Sequence, residues 1–361
     1  MSRIGKCLVA VLAVALLQLS LGGTAGCITS RPKWRLQAVE SLPRTADFYG
    51  VWGSSSSDAF VVGLDGVVLH YDGKVWSEME SGTTEPLHGV WGSSPADVFA
   101  VGESGTILHY NGADWSPMKN PGVSTDLFAV WGSSQSDIYA VGELGTALHY
   151  DGSKWASRET GALKAAFSAV WGSTFPSPGV IIPGQVQGGG AFLVSFYGVW
   201  GSSVSDVFVV GRGATGPKAS DVASLIMHYN GTTWSPKTLP SGISMGEVLY
   251  GVWGSSASKV YAVGQSSSIA EYDGQTWSAY EGNLYSQAAY WVFPPSLNAV
   301  WGSSDRDAFA VGDSGIVLHG NGKEWKTMTS PAKVTLNGVW GSSSSDVFAV
   351  GKAGTILHYS R

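Results

Sequence analysis

Apolar and polar positions along this chain come in short bursts, and after residue 26 no stretch keeps a 3.6-residue periodicity for the length of a helix. From Gly89 the chain reads GVWGSSPADVFAVGESGTILHYNGADWSP, with four apolar runs: GVWGS, DVFAV, GTILHY and ADWSP. These runs are rich in Val, Ile, Tyr and Trp and are bounded by Gly, Ser, Asp or Asn, the pattern of short strands. The third and fourth runs are joined by Asp72-Gly73, Asn111-Gly112, Asp151-Gly152, Asn230-Gly231, Asp273-Gly274 or Asn321-Gly322. Asx-Gly pairs of this kind predict two-residue type I′ hairpin loops with both central residues at positive φ. The second and third runs are joined by GxxG, as from Gly102 to Gly105.

The unit recurs. VWGS places its Trp at 52, 91, 131, 171, 200, 253, 301 and 340, at spacings of 39, 40, 40, 29, 53, 48 and 39 residues. Four antiparallel strands in about 40 residues make one blade of a propeller. The expectation is an all-β fold: a single β-propeller of four-stranded antiparallel blades over residues 33–361. Counting VWGS favours eight blades, one of them irregular. The unit at Trp171 lacks both the Asx-Gly turn and a fourth-strand Trp, and seven blades is the alternative if it is an insertion. Lys33-Trp34-Arg35-Leu36 is a lone fourth-strand signature and Leu357-His358-Tyr359 a last third strand, so the N-terminal strand is expected to close the ring. Besides the eight Trp of VWGS, seven fall in fourth strands: Trp34, Trp76, Trp115, Trp155, Trp234, Trp277 and Trp325. They are expected to form the core between blades, and only Trp291 lies off the pattern.

Six of the seven histidines share one slot, each with an Asp in its own unit: Asp58 with His70, Asp97 with His109, Asp137 with His149, Asp206 with His228, Asp307 with His319 and Asp346 with His358. The unit at Trp253 carries Lys259 in the Asp slot and Glu271 in the His slot. A joint change with the charges exchanged is what direct contact between the slots permits, so the pairs are expected to be inter-strand struts. Ligands spread one per blade cannot converge within the roughly 2 Å bonds of a zinc ion, and no metal or other cofactor is expected.

The N-terminus adds a destination. Arg3 and Lys6 precede an apolar run from Cys7 to Leu21 and then small residues to Gly26. This predicts a secretory signal over residues 1–26, since the run is shorter than the roughly 20 residues of a bilayer span. The net charge of −6 becomes −8 once Arg3 and Lys6 leave with the signal, which excludes a basic footprint for nucleic acid. Cys7 and Cys27 are the only cysteines, and one lies in the signal, so disulfides and cysteine metal sites are excluded.

Several resemblances sharpen these expectations. Thr24-Ala25-Gly26-Cys27 resembles the lipobox of bacterial lipoproteins, with Thr24 where that family usually has Leu. It implies lipidation of Cys27, a short tether over residues 27–32 and, with Ile28 after the Cys, the outer membrane, on its periplasmic or surface face; without the lipid the chain would be secreted. The repeat AVGxxGTILHYxGxxW resembles those of BNR/Asp-box propellers and of the photosystem assembly-factor propellers related to them. The Asp box itself is S-x-D-x-G-x-x-W, whereas Asp72-Gly73-Lys74-Val75-Trp76 is one residue tighter. A weaker resemblance runs to quinoprotein-type propellers, including an outer-membrane assembly lipoprotein. The Asp–His pairs are similar in spirit to the hydrogen-bonded network of WD-repeat blades.

A functional site must break the symmetry, and three consecutive units do. The unit at Trp171 carries a Gly-rich stretch to Gly190, the next has an insertion around Arg212 and Lys218, and the one after has a long exit with Tyr285, Tyr290, Trp291 and Phe293. Propeller topology puts the last two on one face, where Arg212, Lys218, Tyr285, Tyr290, Trp291 and Phe293 form the candidate binding patch. The expected function is that of a non-enzymatic, membrane-anchored monomer binding a protein or glycan, or scaffolding. The alternatives are a sialidase-like or other glycoside hydrolase and an outer-membrane assembly factor. Sialidase chemistry, by family resemblance, needs three convergent Arg, and only Arg212 of the mature Arg residues lies in a candidate loop.

Overall fold

The structure, a computed structural model, describes residues 32–39, 46–158, 160, 194–214, 222–243, 247–280 and 294–360. These form seven four-stranded antiparallel sheets. In blade 1 the strands run Phe48–Ser55, Asp58–Gly63, Val68–Tyr71 and Trp76–Met79, each paired with the next. The inner strands of blades 2 to 7 are Leu87–Ser94, Leu127–Ser134, Ser195–Ser203, Leu249–Ser256, Leu297–Ser304 and Leu336–Ser343. The outermost strand of blade 7 is Lys33–Leu36, which pairs Trp34 with Tyr359, so the ring closes through the N-terminal strand.

The expectation of eight blades is corrected to seven, because two rings of tryptophan contacts pass straight from blade 3 to blade 4. Each described VWGS indole lies over the glycine of the next blade's VWGS. A Cβ on Gly92 would be 2.6 Å from Trp52 Cη2, and Gly132 meets Trp91, Gly201 meets Trp131, Gly254 meets Trp200, Gly302 meets Trp253, Gly341 meets Trp301 and Gly53 meets Trp340 in the same way. Trp131 therefore reaches Gly201 and leaves no place between them for a blade begun at Trp171. Only glycine permits this approach, which explains the invariant WG step within the repeat.

The second ring runs the other way. Each outer-strand Trp packs edge-on against the second-strand aromatic of the preceding blade, as Trp76 on Phe348 at 5.6 Å, Trp115 on Phe60 at 6.1 Å and Trp234 on Tyr139 at 6.2 Å. Trp34 completes it on Phe309. Burying an aromatic of this size removes about 150–250 Å² from water, so these contacts dominate the cohesion between blades.

The Asx-Gly loops differ from the type I′ expectation. Four residues, Asp72 to Val75, separate the paired Tyr71 and Trp76, and only Gly73 is left-handed, at φ 92°. Asp72 instead turns its carboxylate inward, and Oδ1 accepts the N–H groups of Lys74 at 2.8 Å and Val75 at 2.9 Å. This side-chain capping is the reason for Asx at that position.

Candidate binding surface at the mouth of the axis

Each inner strand pairs with its neighbour through two β-bulges. In blade 2, Leu87 pairs with Gly102 and Gly89 with Val101, leaving His88 out, while Gly92 pairs with Val98 and Ser94 with Asp97, leaving Ser93 out. The same two positions are left out in every blade. A bulge re-aims the extra side chain. The two bulges deliver two different sets of residues.

The second bulge supplies a serine to the Asp–His pairs. His70 Nε2 is 2.7 Å from Asp58 Oδ1, and Ser54 Oγ donates to Asp58 Oδ2 at 2.6 Å. The set repeats as Ser93–Asp97–His109, Ser133–Asp137–His149, Ser202–Asp206–His228, Ser303–Asp307–His319 and Ser342–Asp346–His358. Each imidazole also lies on the second-strand aromatic, at 4.1 Å for His358 on Phe348 and 4.6 Å for His70 on Phe60. In blade 5, Lys259 contacts Glu271 and sits over the Tyr261 ring at 5.3 Å.

Position in these sets decides their chemistry. The carboxylate stands between serine and histidine, whereas nucleophilic catalysis needs the imidazole beside the hydroxyl. No imidazole of these sets is placed to take the serine proton. Burial pushes the Asp346 carboxyl up, but the hydrogen bonds from His358 and Ser342 outweigh it and hold the pKa below the usual value. Lys259 shows the matching behaviour: burial lowers its pKa, and the bond to Glu271 more than restores it.

The first bulge supplies the residue that faces the axis. Tyr49, His88, Phe128, Tyr197 and Tyr250, on five consecutive blades, touch ring to ring at centroid separations of 5.0, 5.4, 5.2 and 5.5 Å. All five are partly exposed. Asn298 and Asn337 complete the circuit, donating to the carbonyls of Leu336 at 3.0 Å and Phe48 at 2.8 Å on the next blades. The result is an aromatic arc at one end of the axis, on the face where connections between second and third strands emerge, as the approach of His88 Nε2 to Glu103 shows.

Charges around the arc tune it. Burial, then Asp47, Glu103 and Asp65, raises the Tyr49 pKa. Burial lowers that of His88, against the pull of Glu103 and Asp126, so the ring is neutral at neutral pH. The Tyr250 pKa is raised chiefly by burial, opposed by a hydrogen bond from Gln265.

Of the candidate patch, Arg212 lies on the extended strand Asp206–Ala214 of blade 4, with its guanidinium 5.9 Å from the Tyr197 centroid. It thus adjoins the arc. Lys218, Tyr285, Tyr290, Trp291 and Phe293 lie outside the described residues, as does Cys27. Sequence reasoning missed the arc itself, although its signal is present: the residue two before the Val of VWGS is aromatic in five of the seven blades. Among the described residues, no cluster of three or more potential metal ligands occurs and no helix is long and apolar enough to cross a membrane.

No family model matches the chain, and no curated protein matches it in sequence. Solved structures do match in fold. YCF48 bound to D1 peptide is 13% identical, with a TM-score of 0.63 over 91% of this chain and 97% of the other. YCF48 from Cyanidioschyzon merolae is 15% identical, with a TM-score of 0.64 over 91% and 98%. The extracellular domain of the putative one-component system BT4673 from B. thetaiotaomicron is 12% identical, with a TM-score of 0.62 over 90% of this chain and 40% of that one. The chain is therefore a β-propeller by independent comparison as well as by its own topology.

Proposed function

We propose that this chain is an exported, lipid-anchored binding module that holds an extended polypeptide against the aromatic arc and catalyses no reaction. The observation that carries this is the unbroken contact of Tyr49, His88, Phe128, Tyr197 and Tyr250, five partly exposed rings held by bulges on rigid inner strands. Rigid aromatic surface gives large contact area at low entropic cost, which suits peptide recognition. A propeller of similar fold, YCF48, has been solved with a D1 peptide, which supports polypeptide as the ligand class for the scaffold. Export and lipidation of Cys27 rest on the N-terminal pattern, and an outer-membrane location on Ile28. A partner on the periplasmic face would make the protein an assembly scaffold, whereas one outside would make it a surface receptor; proteolysis of intact cells separates the two.

A dodecapeptide library and a glycan array, each applied to the wild-type chain and to the Phe128→Ser/Tyr250→Ser variant, test the proposal. Peptides should be retained by the wild type and lost by the variant at a temperature where circular dichroism shows both to be folded. Retention of glycans without peptides would overturn the ligand class, and retention of peptides by the variant would overturn the arc.

A further inference from the structure

The charged groups beside the first half of the arc share one sign. Asp47 and Asp126 are fixed there, each accepting a backbone N–H from a tight turn of the preceding blade: Ala353 at 2.9 Å and Ser104 at 3.0 Å. Glu103 Oε1 lies 3.5 Å from His88 Nε2, with its side chain 41% exposed, and Asp65 is exposed at the left-handed position of its turn, at φ 55°. Asp47, Asp65 and Glu103 act on Tyr49, and Glu103 and Asp126 on His88. Among the described residues, Arg212 stands beside Tyr197 on blade 4, and Lys352 is exposed on the turn of blade 7 whose Ala353 binds Asp47. Three partly exposed rings therefore lie among carboxylates with which no described Lys or Arg side chain of blades 1 to 3 forms an ion pair.

We propose that the Tyr49–His88–Phe128 segment of the arc is a seat for a cationic side chain, a lysine or arginine, of the polypeptide that the protein binds. The proposal rests on the polypeptide reading above and adds the identity of the anchoring residue. Ring faces carry a negative quadrupole that attracts ammonium and guanidinium groups, and the attraction grows as water is excluded. The carboxylates add Coulomb attraction from the rim. Arg212 stands beyond this acidic stretch, next to Tyr197 on blade 4, so the ligand's cation is placed over blades 1 and 2.

The test uses two fluorescein-labelled dodecapeptides, alternating glycine with lysine in one and glycine with Nε-acetyl-lysine in the other, titrated by fluorescence polarisation with the full chain. Acetylation keeps length and removes charge. The lysine probe should bind about tenfold more tightly than the acetylated one, and Asp65→Asn/Glu103→Gln should remove about that factor for the lysine probe alone. Asp114→Asn, in an exposed turn at the opposite end of the blade, should change neither. Equal affinity for both probes, or failure of both while library peptides still bind, overturns the cation seat and leaves the polypeptide reading standing. Failure of these probes and of every library peptide overturns both. An equal loss in Asp114→Asn would assign binding to diffuse charge and also overturn the seat.

Discussion

Substituting Gly92 by alanine tests how the ring is locked. The new Cβ would lie 2.6 Å from Trp52 Cη2, 2.7 Å from Cζ3 and 2.9 Å from the Asp97 carbonyl oxygen. Ordinary carbon contacts are about 3.5–4.0 Å, so the indole must withdraw by about 1 Å. It cannot do so freely, because Trp52 is stacked on Phe60, with centroids 6.3 Å apart and planes at 27°, and Phe60 is fully buried. The backbone adds no penalty of its own, since Gly92 does not have positive φ. Overpacking of this kind costs about 1–3 kcal/mol. For a chain of this length the unfolding entropy makes that a Tm decrease of about 1.5–4.5 °C by calorimetry. Trp52→Leu removes the indole but leaves the Asp97 carbonyl oxygen at 2.9 Å, so Gly92→Ala should cost clearly less in that background, and the double-mutant cycle should return the indole's share of the penalty as coupling. An unchanged Tm in Gly92→Ala, or strict additivity in the cycle, would refute the Trp-on-Gly lock.

Other consequences are open to measurement. Asp97→Lys and His109→Glu should each destabilise the protein and together recover stability, with a coupling of about 1 kcal/mol for this partly exposed pair, as Lys259 and Glu271 already do in blade 5; additive losses would show that the slots act independently. Because the His88 pKa is lowered in the folded state, chiefly by burial, the unfolded chain takes up that proton first, and stability is lost as pH falls below 6.5. His88→Phe removes this loss, so between pH 7 and pH 5 its Tm should fall less than that of the wild type; parallel profiles would contradict the assignment. Cys27→Ser should abolish incorporation of labelled palmitate and release the protein from membranes; unchanged fractionation would exclude the lipid anchor.

Strands, hairpins and the Asp–His partnership are legible in the repeat because each depends on residues close in sequence. Asp97 and His109 are twelve apart and meet across one strand pair, so a joint exchange such as Lys259 with Glu271 reveals contact without coordinates. Ser93 was not legible: it follows WG in a serine-rich stretch, and nothing local says that a bulge turns this serine, and not Ser94, to the carboxylate. Blade number is not legible from VWGS alone, because that string marks only where an inner strand can begin. A blade also needs its outer hairpin, and the six Asx-Gly loops plus the closing strand at Trp34 account for seven outer edges. The arc is hidden in the sequence for a different reason. Tyr49, His88, Phe128, Tyr197 and Tyr250 are separated by whole blades, and their variation looks like drift within a repeat until closure of the ring brings them side by side.

The claim that the aromatic mouth is the working surface is tested most directly by hydrogen exchange on the full chain, with and without a saturating library-selected peptide. Added protection should fall on the bulged starts of the inner strands, at Phe48–Gly50, Leu87–Gly89 and Leu127–Ala129, and on the turns at Asp65 and Ser104. Protection confined to the Asx-Gly loops at Asp72, Asn111 and Asp151, at the other end of the blades, would contradict it.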